Sequence, residues 1–119
     1  MGKNTMRLAL LALVIAAIGG TAGAESPPAL IDEVVGLDND SVRIVLLAYH
    51  PGADSDIHLN LGPEITIVQQ GELALYTPKG REALGLGVVH WLSASTAHLA
   101  RNESKQTVKF WSLLLKRCD

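Results

Sequence analysis

The sequence predicts an all-β domain, a sandwich or barrel of short strands. Three observations carry this. Apolar runs rich in Val, Ile and Leu recur from residue 30 to residue 115, and each is short. Gly, Pro, Asn and Asp break them at roughly the 8-to-12-residue cadence of sandwiches and barrels. No segment reads as a convincing helix, and no strand–helix–strand alternation suggests a parallel sheet.

In chain order, Leu30–Val35 is read as the first strand, ended by Gly36 and the turn signal Asp38-Asn39-Asp40. Val42–Tyr49 follows and is closed by Pro51-Gly52. Ile57–Leu61 and Glu64–Gln69 are separated by Gly62-Pro63, and Gly71 divides the latter from Glu72–Thr77. Thr77-Pro78-Lys79-Gly80 suits a type I turn, with Pro second and Gly fourth. Glu82–Leu86 lies beyond it, and Gly87 precedes Val88–Leu92. Ala97–Asn102 stops at Asn102 and Ser104, and Thr107–Leu115 is last. Val42–Tyr49 and Thr107–Leu115 are more hydrophobic than strict alternation allows. Strands covered on both faces read this way, whether the cover is a flanking segment or a second subunit.

Residues 1–24 read as a leader, not as fold. Lys3 and Arg7 give a positive start, Leu8 to Ile18 is an unbroken run of 11 apolar residues, and Ala22-Gly23-Ala24 is a small-x-small ending. This is the three-part pattern of a secretory signal peptide cleaved before Glu25. The run is too short to span a membrane, which takes about 20 residues. The expectation is an exported protein, periplasmic or secreted. Residues 25–36 would be an extended segment and first strand, and residues 37–119 the barrel domain. The 95 residues after the leader bury roughly two-thirds of their unfolded surface, enough for one small core. They hold 8 basic and 12 acidic residues, a formal charge of −4. The basic residues are scattered, so neither nucleic acid nor, after leader cleavage, a membrane is an expected partner. Cys118 is the single cysteine, so no intramolecular disulfide can form. It reads as a tail thiol, with a link between two chains as the alternative.

Polar residues interrupt one apolar region. In HLNLGPEITIVQQG, residues 58–71, His58, Asn60 and Glu64 are set among Leu59, Leu61, Ile65, Ile67 and Val68. Strand periodicity puts His58 and Asn60 on one face. An imidazole or carboxylate facing a core is costly unless it is paired or bound to a metal. A further histidine, His98, stands in STAHLARN. The spacing is regular. Five residues separate Gly52 from His58, one separates His58 from Asn60, three separate Asn60 from Glu64, and six separate Glu64 from Gly71. Five separate Gly87 from Ser93, one Ser93 from Ser95, two Ser95 from His98, and three His98 from Asn102.

This pair of motifs resembles the cupin superfamily, in particular its small single-domain members. The family's first motif is Gly, five residues, His-x-His, three or four residues, Glu, six residues, Gly. Its second is Gly, five residues, Pro-x-Gly, two residues, His, three residues, Asn. Gly52, His58, Glu64 and Gly71 match the first, and Gly87, His98 and Asn102 match the second. The resemblance covers about residues 50 to 115. It implies an antiparallel jelly-roll barrel, the double-stranded β-helix, with one divalent metal held inside by two histidines and a glutamate. His58, Glu64 and His98 are then the implied ligands of Fe, Mn, Ni or Zn, a donor set that suits non-haem iron. Asn60 stands where the family has its second histidine, as a fourth ligand through its carbonyl or as a hydrogen-bonding neighbour. Ser93 and Ser95 replace the usual proline and glycine, which leaves the shape of the turn before His98 open. The alternative to a metal site is a metal-free polar cluster in a ligand-binding barrel.

Other polar and aromatic residues carry less. His50 reads as an exposed loop histidine, with a replacement-ligand role as the alternative, His90 as an outward-facing strand residue, with a pocket position as the alternative, Asp54 and Asp56 as solvated loop acids, and Asn102 as a turn residue. Trp91, Phe110 and Trp111 read as core or interface packing, with Trp91 also placed to line a barrel mouth. Tyr49 and Tyr76 read as sheet packing. The sequence has no phosphate-binding glycine loop, CxxC pair or GxSxG elbow, and no helix for an HExxH site. The resemblance implies a dioxygenase-, isomerase-, decarboxylase- or lyase-like enzyme acting on a small organic molecule. A binding module without turnover and a vestigial barrel are the alternatives, because this fold hosts many functions. The implied partners are a small-molecule ligand or substrate and, since cupins commonly pair through their sheets, a second copy in a homodimer.

Overall fold

Short β-branched runs pair only if the chain can return on itself, and the turn residues let it do so seven times between eight strands. The computed structural model describes residues 30–116. The leader, the lead-in at 25–29 and Cys118 lie outside the described residues. The strands are β1 (Ile31–Asp38), β2 (Val42–Tyr49), β3 (Glu64–Gln70), β4 (Leu73–Thr77), β5 (Gly80–Leu84), β6 (Val89–Leu92), β7 (Leu99–Arg101) and β8 (Val108–Leu115). They form two antiparallel sheets, ordered β1-β2-β8-β3-β6 and β5-β4-β7. β8 lies between β2 and β3, so neighbours in the sheet are far apart in sequence. This is the antiparallel jelly-roll barrel expected above, with no helix among the described residues.

Period-2 alternation and the strand register sort the inner face of the large sheet into cross-strand rows. Arg43, Leu114, Glu64 and Leu92 form one row. Val45, Ser112, Thr66 and His90 form the next. Leu47, Phe110 and Val68 form the third, and Tyr49 and Val108 lie beyond them. The first two rows are polar in part, and the rest are apolar. The core therefore sits towards one end of the barrel, where Tyr49, Val68, Leu73, Leu75, Leu84, Val108 and Phe110 are buried together. Tyr49 and Phe110 meet edge-to-face at 5.0 Å. Each buried aliphatic or aromatic side chain of this kind contributes roughly 1.5–3 kcal/mol.

Two glycines are fixed by their surroundings. A Cβ on Gly62 would lie 1.7 Å from the Leu115 carbonyl oxygen, so only glycine lets the Gly62-Pro63 corner reach the end of β8. There the Leu115 amide donates to the Pro63 carbonyl at 2.9 Å. Gly71 holds φ +81 in the turn between β3 and β4, the left-handed region that favours glycine.

Several elements depart from the sequence reading. Ile57–Leu61 is not a strand. Its only pairing is an isolated bridge between His58 and His98, and Ile57, Leu59 and Leu61 are exposed. Local propensity favours extension there, but the barrel offers this segment one partner residue instead of a ladder. The strand expected at Glu82–Leu86 is β5, which starts at Gly80 because the Pro78-Lys79 turn leads straight into pairing of Thr77 with Gly80. β1 runs past Gly36 to Asp38, with a bulge between Val35 and Leu37. The strand expected at Ala97–Asn102 shortens to three residues, and Asn102 leaves it fully buried. The described residues leave the outer face of β2 and β8 partly open. Ile44, Leu46, Trp111 and Leu113 are only half-buried on the outer side.

Candidate functional site

His58 and His98 come from separate segments that share a two-bond bridge. Each amide donates to the other's carbonyl at 2.9 Å. This sets the two imidazoles side by side, with ring centres 4.2 Å apart. Asp54, in a turn that its own carboxylate closes by accepting from the Asp56 amide at 2.7 Å, supports the first histidine. Asp56 adopts a left-handed φ of 62, and its carbonyl lies 3.0 Å from His58 Nδ1. The Thr96 carbonyl lies 2.8 Å from His98 Nδ1. A carbonyl only accepts, so each Nδ1 carries the proton and each Nε2 is left to the cavity.

Glu64 opens β3 and points inward. Its Oε1 accepts from the Asn60 amide nitrogen at 3.1 Å and faces His98 Nε2 at 3.5 Å. Its Oε2 accepts from the Ser112 hydroxyl. Burial alone would raise the Glu64 carboxyl, but the hydrogen bonds from His98 and Ser112 outweigh it and hold the group below its ordinary range. The same contact with Glu64 raises His98 against its own burial, helped by the Thr96 carbonyl. A neutral His98 protonated on Nδ1 would turn a lone pair towards a carboxylate. That arrangement needs a cation between them, either a proton on Nε2 or a metal ion.

The donor chemistry fits a divalent metal in part. The orienting bonds from each Nδ1 to a carbonyl are those that metal-bound histidines make. A spacing of 3.5 Å is long for a hydrogen bond, and is close to the ~3.4 Å between two donors about 2.1 Å from one tetrahedral ion. Yet among the described residues no group of three or more His, Cys, Asp and Glu side chains is arranged to hold a metal ion. Asn60 turns its amide nitrogen, not its oxygen, to Glu64.

The cluster lines a cavity of about 190 Å³ inside the barrel, and so do Thr66, His90, Leu47, Leu73, Leu75 and Phe110. All four predicted site residues, His58, Asn60, Glu64 and His98, line it. His90 overturns its outward reading. β6 turns it into the cavity, while Val89 and Trp91 take the outer face. Trp91 is 57% exposed and does not line the cavity. Ser112 was missed by sequence reasoning, although it is the one hydroxyl among the inward positions Val108, Phe110, Ser112 and Leu114 of an apolar strand.

The remaining candidates are structural. His50 Nε2 pairs with Asp32 at 2.8 Å and its Nδ1 meets Thr107 Oγ1 at 3.1 Å. Asp54 is held below its ordinary range by the Asp56 amide and by Arg101, with which it pairs at 2.8 Å. Tyr49 is buried in the core, which pushes its hydroxyl up to about 12. Ser95 keeps the turn before His98 by adopting φ 60 itself, and its amide donates to the Asn60 carbonyl at 2.8 Å.

No family model matches the chain, and no curated protein matches it. Solved structures do. A cupin domain from Bordetella pertussis Tohama I is 23% identical, with a TM-score of 0.64, over 80% of this chain and 100% of that one. A cupin superfamily protein from Desulfitobacterium hafniense DCB-2 is 18% identical, with a TM-score of 0.70, over 79% of this chain and 84% of the other. A sugar phosphate isomerase from a cupin superfamily, from Silicibacter pomeroyi DSS-3, is 18% identical, with a TM-score of 0.65, over 74% of this chain and 60% of the other. At these identities the likeness establishes the cupin fold.

Proposed function

We propose that this cupin-fold barrel binds one divalent metal through His58, Glu64 and His98 and acts on a small organic molecule in the cavity beside them. One observation carries the reading. Both histidines are tied by Nδ1 to backbone carbonyls, which turns Nε2 of each towards the cavity, that of His98 3.5 Å from a carboxylate held by Ser112. A bound ion would supply a Lewis acid for a substrate oxygen. His98 and Ser112 hold Glu64 below its ordinary range, Asn60 helps to orient it, and the apolar walls exclude water around the ligand. A cavity of about 190 Å³ suits a molecule of about six to ten heavy atoms, since benzene fills a cavity of about 150 Å³. The isomerase among the similar structures is compatible with such a role. The second reading is a metal-free barrel that binds without turnover, with a proton on His98 answering Glu64. It is favoured by Asn60, whose amide nitrogen occupies the Glu64 oxygen nearest His98.

Elemental analysis of tag-free protein, beside His98→Ala, separates the two. About one Fe, Mn, Ni or Zn per chain in the parent and little in the variant supports the metal site. No metal in either, even after anaerobic reconstitution with Fe(II) and Mn(II), refutes it.

Two further proposals concern where the protein is and what it pairs with. The leader supports export to a periplasm or beyond, which N-terminal sequencing of the mature chain tests. A second copy is the proposed cover for the outer face of the large sheet. Val34, Leu46, Trp111, Ile67 and Val89 form one apolar row across all five strands. The next row runs through Ile44, Leu113, Ile65 and Trp91. Five strands about 4.8 Å apart and roughly 20 Å of strand give about 500 Å² per copy. Two copies then reach the ~1,000 Å² a specific interface needs. Sedimentation should find a dimer at micromolar concentration and a monomer for Leu46→Glu. A monomeric parent would refute the pairing, whether residues 1–29 or nothing covers the face.

A further inference from the structure

Among the described residues, one buried side-chain nitrogen or oxygen has no hydrogen-bond partner, and it is Nδ1 of His90. Its other nitrogen, Nε2, lies 3.1 Å from Glu82 Oε1. A carboxylate only accepts, so Nε2 carries the proton, and Nδ1 of that tautomer is a bare acceptor. Buried acceptors are rarely left this way, and each one asks for an explanation. The position of the ring supplies it. His90 stands cross-strand from Thr66, which stands cross-strand from Ser112, one row from Glu64. His90, Thr66 and Ser112 all line the cavity, and the walls around them include Leu73, Leu75 and Leu92.

We propose that His90 Nδ1 is a ligand contact, which accepts a hydrogen bond from the hydroxyl of a small, largely apolar alcohol or phenol bound in the barrel. The inference deepens the proposed role of this cavity and rests on it. A hydroxyl supplies the proton that Nδ1 lacks. A carboxylate of the same size supplies none, so at His90 the cavity selects hydroxyl-bearing molecules over carboxylates.

The test uses three size-matched probes, phenol, fluorobenzene and benzoate, titrated into the purified protein and followed by amide chemical shifts. Phenol should bind about tenfold more tightly than fluorobenzene, the effect of one well-placed buried hydrogen bond. Benzoate should bind chelator-treated protein no better than fluorobenzene does. His90→Phe should bind both neutral probes alike. His90→Asn, whose amide oxygen can stand where Nδ1 stands, should recover the preference for phenol. The same spectra show whether each variant is folded. Equal affinity of the parent for phenol and fluorobenzene overturns the inference. A preference kept in His90→Phe but lost in His98→Ala places the hydroxyl at the His98–Glu64 pair, which overturns the inference and leaves the proposed function standing. Failure of every probe to bind the parent overturns both. A His90-dependent preference in a protein that takes up no metal supports the hydroxyl contact and removes only the metal.

Discussion

Replacing Asn102 by alanine should cost this domain about half its stability. Asn102 is 0% exposed and makes four side-chain hydrogen bonds. Its amide nitrogen donates to the Tyr49 carbonyl at 2.8 Å and to the Gln106 carbonyl at 2.7 Å. Its oxygen accepts from the Ser104 amide and hydroxyl. Water can replace the Ser104 partners near the surface, and Gln106 keeps a contact with the Ser104 hydroxyl at 3.0 Å. The buried Tyr49 carbonyl, opposite Val108 in the β2–β8 ladder, loses this donor. Loss of the two donated bonds costs about 1–3 kcal/mol, and the hole left by the amide adds to it. The expected total is about 3–4 kcal/mol, against roughly 5–10 kcal/mol for a domain of this size. The melting temperature should fall by about 15–25 °C. Urea unfolding followed by tryptophan fluorescence reads the change. Asn102→Asp sharpens the reasoning, because it keeps the acceptor for Ser104 and removes both donors. It should cost at least as much as alanine, while Ser104→Ala should cost less than about 1 kcal/mol. An Asn102→Asp variant within 1 kcal/mol of the parent would refute the claim that the two donated bonds hold this corner.

Three further outcomes are expected. Gly62→Ala should destabilise by about 3 kcal/mol or more in the same assay, because its Cβ meets the Leu115 backbone and not a side chain that can swing away. Ser95→Gly should stabilise by about 0.5–1 kcal/mol, since relief of the left-handed φ of 60 outweighs the added chain entropy. The third concerns pH in chelator-treated protein. Glu64 is held below its ordinary 4.5, so its contribution is present above pH 4.5 and is lost as pH falls through its lowered value. His98 is held above its ordinary 6.5, so its contribution is full below pH 6.5 and is lost as pH rises through its raised value. The pair thus stabilises most between pH 4.5 and 6.5. His98→Gln should lower the urea midpoint within that window and remove the decline above it, and an unchanged profile would show that the two do not pair.

The fold and the four clustered residues were legible because both rest on spacing. Turn residues mark where strands end, and the intervals from Gly52 to Glu64 and from Gly87 to His98 survive whatever the intervening residues do. The orientation of His90 was not legible, for a physical reason. Period 2 says that Val89 and Trp91 share one face and that His90 and Leu92 share the other, but not which face is inside. An apolar pair normally points to the core. Here the outer face of the sheet is apolar too, through Ile65, Ile67, Trp111 and Leu113, so the usual guide fails at the strand where it matters most. The same ambiguity hid Ser112. The misread strand at Ile57–Leu61 has a different cause, since pairing is decided by what lies alongside, and there the segment meets an isolated bridge at His98 and a single bond from Ser95 to Asn60 instead of a ladder.

Two of the three departures from the motif pattern belong together. Asn60 replaces a histidine and Ser95 replaces a glycine, and the Ser95 amide donates to the Asn60 carbonyl at 2.8 Å. The backbone contact between the two motif segments therefore does not depend on either side chain. Ser95 meets the turn's demand at the cost of a strained φ, and the loop still delivers His98 opposite His58. Asn60 is freed from supporting that contact, and its side chain is spent on Glu64 instead. A histidine there could have offered a third imidazole. An amide donor does the opposite, since it stabilises the charge on the carboxylate and takes up part of its coordinating capacity. The departure at residue 60 thus acts on the cluster through Glu64. Asn60→His should accordingly raise metal uptake if Glu64 and the two histidines already share an ion, and should leave uptake at zero if a proton on His98 is what answers the carboxylate.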